Sequence, residues 1–172
     1  ILILNKCAHT GTENKTEKLF VSCFKKIVEN ISNGSKINEI VNQSMEAAVK
    51  LVNSDRSLLF SYNSSKKEME VIASTGVNTS TLKKNLTISS EKGVVGKTFN
   101  TGKTFNIPDV YDNENFDSCF DLLTKYKTRS LISVPVYNCR RKVIGVAQFM
   151  NKKDGKPFSN SDISNVDSFM TF

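Results

Sequence analysis

One histidine, three prolines and no tryptophan occur in the 172 residues. His9 stands alone near the start of the chain, so the Ser-His-Asp set of acyl-transfer enzymes cannot be assembled. No apolar run approaches the roughly 20 residues of a membrane-crossing helix. The opening ILIL is too short for a signal-peptide core and lacks a cationic start and a cleavage site. Cys7, Cys23, Cys119 and Cys139 are too far apart for the paired spacing of a zinc site, so no metal is expected. Cysteines used in this way fit a reducing, cytoplasmic compartment. The scattered carboxylates form no recognisable acid–base pair. A binding role is therefore expected rather than catalysis. A first residue other than Met fits a piece of a longer chain.

What is present suits one domain with one buried core. Hydrophobic residues make up 38% and charged residues 24%, as in ordinary globular chains. The net charge is +7. The cations lie in pairs at 25–26, 66–67, 83–84 and 152–153 and in a triplet at 140–142. They are not interleaved with aromatics in a stripe, which argues for a solvated surface and against a nucleic-acid face. Gly96-Lys97-Thr98 ends like a phosphate-binding P-loop, but that motif needs glycine where Glu91 stands.

Residues 1–15 read as a flexible lead and 16–172 as the folded domain. Leu19, Phe20, Cys23, Phe24, Ile27 and Val28 recur at three and four, predicting a helix from Thr16 to about Ile31. Gly34 ends it and Ser35 is the candidate cap of a second helix. That helix carries Ile37, Ile40, Val41, Met45, Ala48 and Val52 on one stripe. Strands are expected at 57–63 and 67–74 around an Asn63-Ser64-Ser65 turn, with a short one near 86–88. A short helix from Gly93 closes at Gly102. A brief strand stops at Pro108, and a helix spans 116–125. A hairpin pairs 130–138 with 141–151. Ser159 or Ser161 caps a last helix with Ile163, Val166, Phe169 and Met170 inward. Consecutive hairpins predict an α+β domain with an antiparallel sheet, not a doubly wound one.

Three features bear on a site. Asp117, Asp121, Thr124 and Thr128 recur at four, three and four opposite an apolar face of Phe116, Cys119, Phe120 and Leu123. Spacing alone fits a wet surface, or the wall of a pocket for a small polar ligand. Gly93-Val94-Val95-Gly96 opens a helix, either as a tight turn or as an anion site of free N–H groups. Gln148 shares a strand face with Ile144, Val146 and Met150, so it faces a site or hydrogen-bonds within the core.

Together, GVVGKTFNTGKTFNIPDVYDNENFD from Gly93, the strands through Gln148, and Asn151-Lys152 followed by Phe158 and Asp162 resemble the GAF domain. The similarity is to the regulatory type found in cyclic-nucleotide phosphodiesterases and covers about residues 18–172. The resemblance implies a GAF (PAS-like) fold with a sheet of about six strands and helices on both faces. The terminal helices would lie on one face, and those near 94–101 and 116–125 on the other. It implies a cyclic nucleotide, cGMP or cAMP, as ligand. Backbone at Val94 and Val95 would face the cyclic phosphate. Asp121, Thr124 and Thr128 would come from the lid, with Asp117 on the phosphate or sugar side and Gln148 on the penultimate strand. Ser57-Leu58 and Ala73-Ser74 would lie where the purine is read. There the family often has a polar residue on the first strand and a Phe-Asp pair on the second. Lys152 and Asp162 would pair as a clamp over Phe158, and Ile163 stands where the family signature has Glu. The resemblance further implies homodimer contacts through the terminal helices and control of a C-terminal phosphodiesterase catalytic domain. The alternatives are a non-binding GAF domain acting in dimerisation, and a methionine sulfoxide reductase using Cys119 or Cys139.

Overall fold

The computed structural model describes residues 36–77 and 87–170 continuously and scattered positions from 18 to 34. At 119, 120 and 123 it describes the backbone only. The expected lead over 1–15, most of the helix over 16–31 and the Ser35 cap lie outside the described residues.

Helix α1 runs Ile37–Val52 and ends at Asn53, whose left-handed backbone returns its N–H to the Lys50 and Val49 carbonyls. Its N-cap is Lys36, which makes no side-chain cap. Met45, Ala48, Val49 and Val52 are buried, whereas Ile37 in the first turn is 75% exposed. Strands β1 (Ser54–Asn63) and β2 (Glu68–Thr75) form a hairpin. Asn63 organises its turn by accepting from Ser65 N, Ser65 Oγ and Lys66 N. A bulge between Leu59 and Phe60 leaves Ile72 exposed and unmatched in register.

Next come β3 (Thr87–Ser89), helix α2 (Gly93–Thr101), β4 (Phe105–Ile107) and helix α3 (Cys119–Thr124). Strands β5 (Leu131–Tyr137) and β6 (Val143–Lys152) and helix α4 (Asn160–Met170) complete the order. Gly102 closes α2 at φ 62°, a left-handed turn that glycine adopts without steric cost. Ser159 caps α4 as half of a reciprocal box. Its Oγ accepts from Asp162 N at 3.2 Å, and Asp162 accepts from Ser159 N at 2.7 Å.

The six strands form one antiparallel sheet in the order β3-β2-β1-β6-β5-β4. The first and last strands thus meet at its centre, where β1 pairs with β6. Both faces are covered. On one, α1 and α4 pack over Ala73, Ile132, Val134, Ala147 and Phe149. On the other, Val94 and Val95 of α2 join Leu58, Phe60, Leu131, Val146 and Met150. This explains why residues 145–151 of β6 are buried without interruption.

The helix expected over 116–125 is shorter. Phe116 and Asp117 precede α3, and Lys125 ends it in a left-handed turn at φ 51°. Thr128 therefore lies past the helix, on a segment that doubles back. No helix among the described residues is long and apolar enough to cross a membrane.

Candidate functional site

A cavity lies between the second face of the sheet, the start of α2 and the segment from Phe116 to Thr128. Leu58, Gln148 and Met150 of the sheet, Val94 and Val95 of α2, and Asp117, Asp121 and Thr128 line it, with Ile88, Lys92, Gly93, Phe116 and Leu131. Its volume is about 50 Å³. Pockets that enclose drug-sized ligands hold roughly 300–1,000 Å³. A ligand of that size is admitted only if one wall moves.

The fixed wall is the sheet and α2. Gly96 brings α2 close to the turn after β3, since a Cβ there would meet Ser90 O at 2.7 Å. Thr98 of α2 donates to Ser133 Oγ at 2.7 Å, and Gln148 Nε2 donates to the same oxygen at 3.4 Å. These buried bonds join α2, β5 and β6 beneath the cavity. The first turn of α2 has no acidic residue and no side-chain cap, and Lys92 precedes it. Its end therefore carries the positive partial charge of a helix N-terminus.

The other wall is a roof held by one carboxylate. Asp121 Oδ1 accepts from Thr128 Oγ1 at 2.6 Å, and Oδ2 accepts from Thr128 N at 2.7 Å and Tyr111 Oη at 3.1 Å. Asp121 and Thr128 are both buried. Burial, then the hydrogen bond and charge of Asp121, raise the Tyr111 phenol above its usual range, so it stays a donor.

Of the residues expected at a site, the fold brings together Leu58, Val94, Val95, Asp117, Asp121, Thr128 and Gln148. It does not bring Ser57, Ala73, Ser74 or Thr124 to the cavity. Ser57 pairs with Phe149 on the opposite face of β1, and Ala73 packs in the core under α1. Ser74 pairs with Leu58 but stops short of the lining, and Thr124 sits at the end of α3. For Ser57 and Ala73 the reason is the period-two alternation of a strand, by which neighbours such as Ser57 and Leu58 face opposite ways.

Two residues at the end of β6 tie the roof and the last helix to the sheet. Asn151 lies in the left-handed region at φ 50°. Its Oδ1 accepts from Arg129 N and Ser130 N at 2.7 and 3.1 Å, and its Nδ2 donates to Lys127 O and Tyr126 Oη at 2.9 Å each. Lys152 Nζ lies 2.9 Å from Asp162 Oδ2, and both side chains are largely buried. Phe158 packs in the core beside them. Burial pushes the Asp162 carboxyl up, but bonds from Ser159 N, Lys152 and Ser159 Oγ outweigh it and hold the group below its usual range.

Sequence reasoning missed the two tyrosines. Tyr126 donates to Asp55 at 2.8 Å, and the Arg56 guanidinium lies 3.6 Å from its ring centroid. Burial, then the Asp55 bond, hold its phenol well above the usual range. Nothing in the local pattern links residues 55–56 to 126. Only the β1–β6 pairing brings them together.

A sequence model of the GAF domain matches residues 36–172. The chain belongs to the GAF domain family. This GAF domain is 31% identical over 157 residues to the dual 3',5'-cyclic-AMP and -GMP phosphodiesterase 11A of Takifugu rubripes, covering 87% of this chain and 17% of that protein. It is 27% identical over 158 residues to the dual 3',5'-cyclic-AMP and -GMP phosphodiesterase 11 of Drosophila melanogaster, covering 85% of this chain and 11% of that one. The chain thus spans less than a fifth of the length of these curated relatives. The GAF domain of a phosphoenolpyruvate-protein phosphotransferase from Acinetobacter superposes with a TM-score of 0.71 at 19% identity, covering 89% of each chain. Free methionine-R-sulfoxide reductase from Neisseria meningitidis superposes at 0.73 and 13% identity, covering 95% of this chain and 88% of that one. At such identities the likeness is one of fold alone.

Proposed function

We propose that this GAF domain is a regulatory, non-catalytic module of a phosphodiesterase and that it binds a cyclic nucleotide. The observation that carries the reading is the chemistry of the cavity walls. One end is the uncapped start of α2, flanked by Lys92, which suits the single negative charge of a cyclic phosphate. Asp121 of the roof is a carboxylate that suits the donors of a base or ribose, whereas Asp117, whose Cβ lies 4.0 Å from the position of a Cβ at Gly93, stands beside the helix start on the phosphate or sugar side. Such walls suit a ligand with its anion toward the helix start and N–H or O–H groups toward Asp121 of the roof. The cyclic-AMP and cyclic-GMP names of the sequence relatives point to the same ligand class.

Binding requires the 108–128 roof to open and re-form around the ligand. The signal would leave through the end of β6. Asn151 holds the roof and the adjacent Lys152 holds α4, so a displaced roof reaches the last helix through two consecutive residues. The partner so controlled would be a C-terminal catalytic domain of the parent protein, in the cytoplasm. The ligand shifts this equilibrium only by its differential affinity for the two roof positions.

The test is calorimetric titration of the 172-residue chain with cGMP and, separately, cAMP, after unfolding and refolding to strip carried ligand. Saturable heat with one or both is expected. Neither heat nor a thermal shift with either would abandon the ligand and leave the second reading, a GAF domain that acts by dimerising. Two observations favour that second reading: the cavity of about 50 Å³, and the exposed apolar side chains of Val21, Val28, Ile31 and Ile37.

A further inference from the structure

A second, larger cavity opens on the outer side of the roof. It holds about 530 Å³, within the span of small-molecule pockets. Lys127 and Arg129 form one wall, and Lys152 and Lys156 form the other. Lys152 is committed to Asp162, and the remaining three have no carboxylate within ion-pair distance among the described residues. Asp109 is the one acid in the lining, and it already accepts from Tyr111 N at 3.0 Å. The cleft is therefore left with an excess of positive charge. Charge of one sign gathered in a cleft raises the local concentration of anions.

The cations are held in place by the same device that holds the roof. Asn151 fixes the backbone N–H of Arg129, and Val110 N donates to Arg129 O at 2.8 Å. Lys127 and Arg129 flank Thr128. Thr128 lines the inner cavity, and its two neighbours line the outer one. One short segment is thus the shared partition of both cavities. Tyr111 spans them as well: it borders the outer cleft and donates to Asp121 of the inner one.

We propose that this outer cleft is a second ligand site, for the phosphate or pyrophosphate group of a small anion carrying two or more negative charges. An arginine fork and two lysines suit phosphate oxygens. The half-exposed ring of Tyr111 and the prolines Pro108 and Pro157 offer an apolar border for the body of the molecule. Occupancy would draw Lys127 and Arg129 toward the phosphate and stiffen the partition, so the two sites are coupled. The proposal does not depend on the inner cavity binding a nucleotide.

The experiment is an amide chemical-shift titration of the 172-residue chain with pyrophosphate and, separately, ATP, at constant ionic strength. Saturable shifts confined to 108–111, 127–130 and 152–157 are expected with both probes. The double variant Lys127→Glu, Lys156→Glu should weaken binding at least tenfold, and Lys127→Gln, Lys156→Gln should weaken it less. All four changes are at exposed positions. Lys97→Glu, Lys103→Glu, equal in charge and away from the cleft, should leave the affinity unchanged. Absent or non-saturating shifts, shifts spread over the lysines at large, or equal losses in the Lys97 and Lys127 double variants would overturn the proposal.

Discussion

The Asn151 side chain ties the segment at 126–130 to the end of β6. Four hydrogen bonds converge on its amide, and its backbone occupies a region that non-glycine residues rarely adopt. The two contributions are separable. Asn151→Gly keeps the backbone conformation and loses the side-chain bonds, at about 2–3 kcal/mol for a buried set of this kind. Asn151→Ala loses the same bonds and adds about 1 kcal/mol for a Cβ in the left-handed region. Urea denaturation of the two variants should therefore rank Ala below Gly, the reverse of their order in a strand interior. Equal stabilities would mean that the backbone relaxes.

Asp162 is the second residue with a defined signature. Its carboxyl is held below the usual range in the folded chain, so it binds fewer protons than the unfolded one. The stability it contributes is complete above the unfolded value of about 3.9. That stability is lost as pH falls through the lower folded value. Asp162→Asn should thus lower the melting temperature at pH 7 and flatten its decline on the acid side. An unchanged acid limb would show that other carboxylates control it.

At the scale of elements, the roof is the part whose order is set by one contact group. Asp121 was an expected ligand residue, and in this fold it is also the staple of its own loop. Asp121→Ala leaves Thr128 N and Oγ1 and the Tyr111 hydroxyl without their acceptor. A cost of about 2–4 kcal/mol is expected, concentrated in the roof. Hydrogen exchange should speed over 108–130 and stay slow in β1, β5 and β6. Faster exchange throughout the sheet would mean that the roof is not a separate unit.

The same element shows where periodicity misleads. The four-three-four spacing of Asp117, Asp121, Thr124 and Thr128 reads as one helix face. Yet α3 ends at Thr124, and Thr128 reaches Asp121 by a left-handed turn at Lys125. The polar set converges by doubling back, and lysine at a position that favours glycine or asparagine hides the turn. The β1–β2 and β5–β6 hairpins, the α2 stop at Gly102 and the Ser159 cap were legible because each rests on residues within a few positions of one another. The side of β1 and β2 that meets the cavity was not. It depends on the bulge at Leu59/Phe60 and on register with β6, which together set the parity of Ser57, Leu58, Ala73 and Ser74.

For the molecule as a whole, ligand binding and folding are linked. If the proposed site binds, a nucleotide at one hundred times its dissociation constant would stabilise the folded state by about 2.7 kcal/mol. The titration proposed above therefore has a thermal counterpart that does not depend on heat of binding. The outer cleft sits on the opposite side of the same partition, so an anion there acts on the same equilibrium.

The sequence by itself determined the class of fold. Its alternating and helical patterns, the glycine stops and the caps are local, and local free energies of backbone conformation depend on near neighbours. It also carried enough of an ordered motif string, from Gly93 to Asp162, to place the chain among GAF domains. Only the tertiary structure decided which of those residues meet. Burial of both faces of the sheet brings Asn151 under the roof and Lys152 onto α4. It sends Ser57 and Ala73 to the far face, and it gathers Lys127, Arg129 and Lys156 around one cleft. Those outcomes turn on strand register and on a chain reversal, which are settled by the packing of segments distant in sequence and not by any one segment alone.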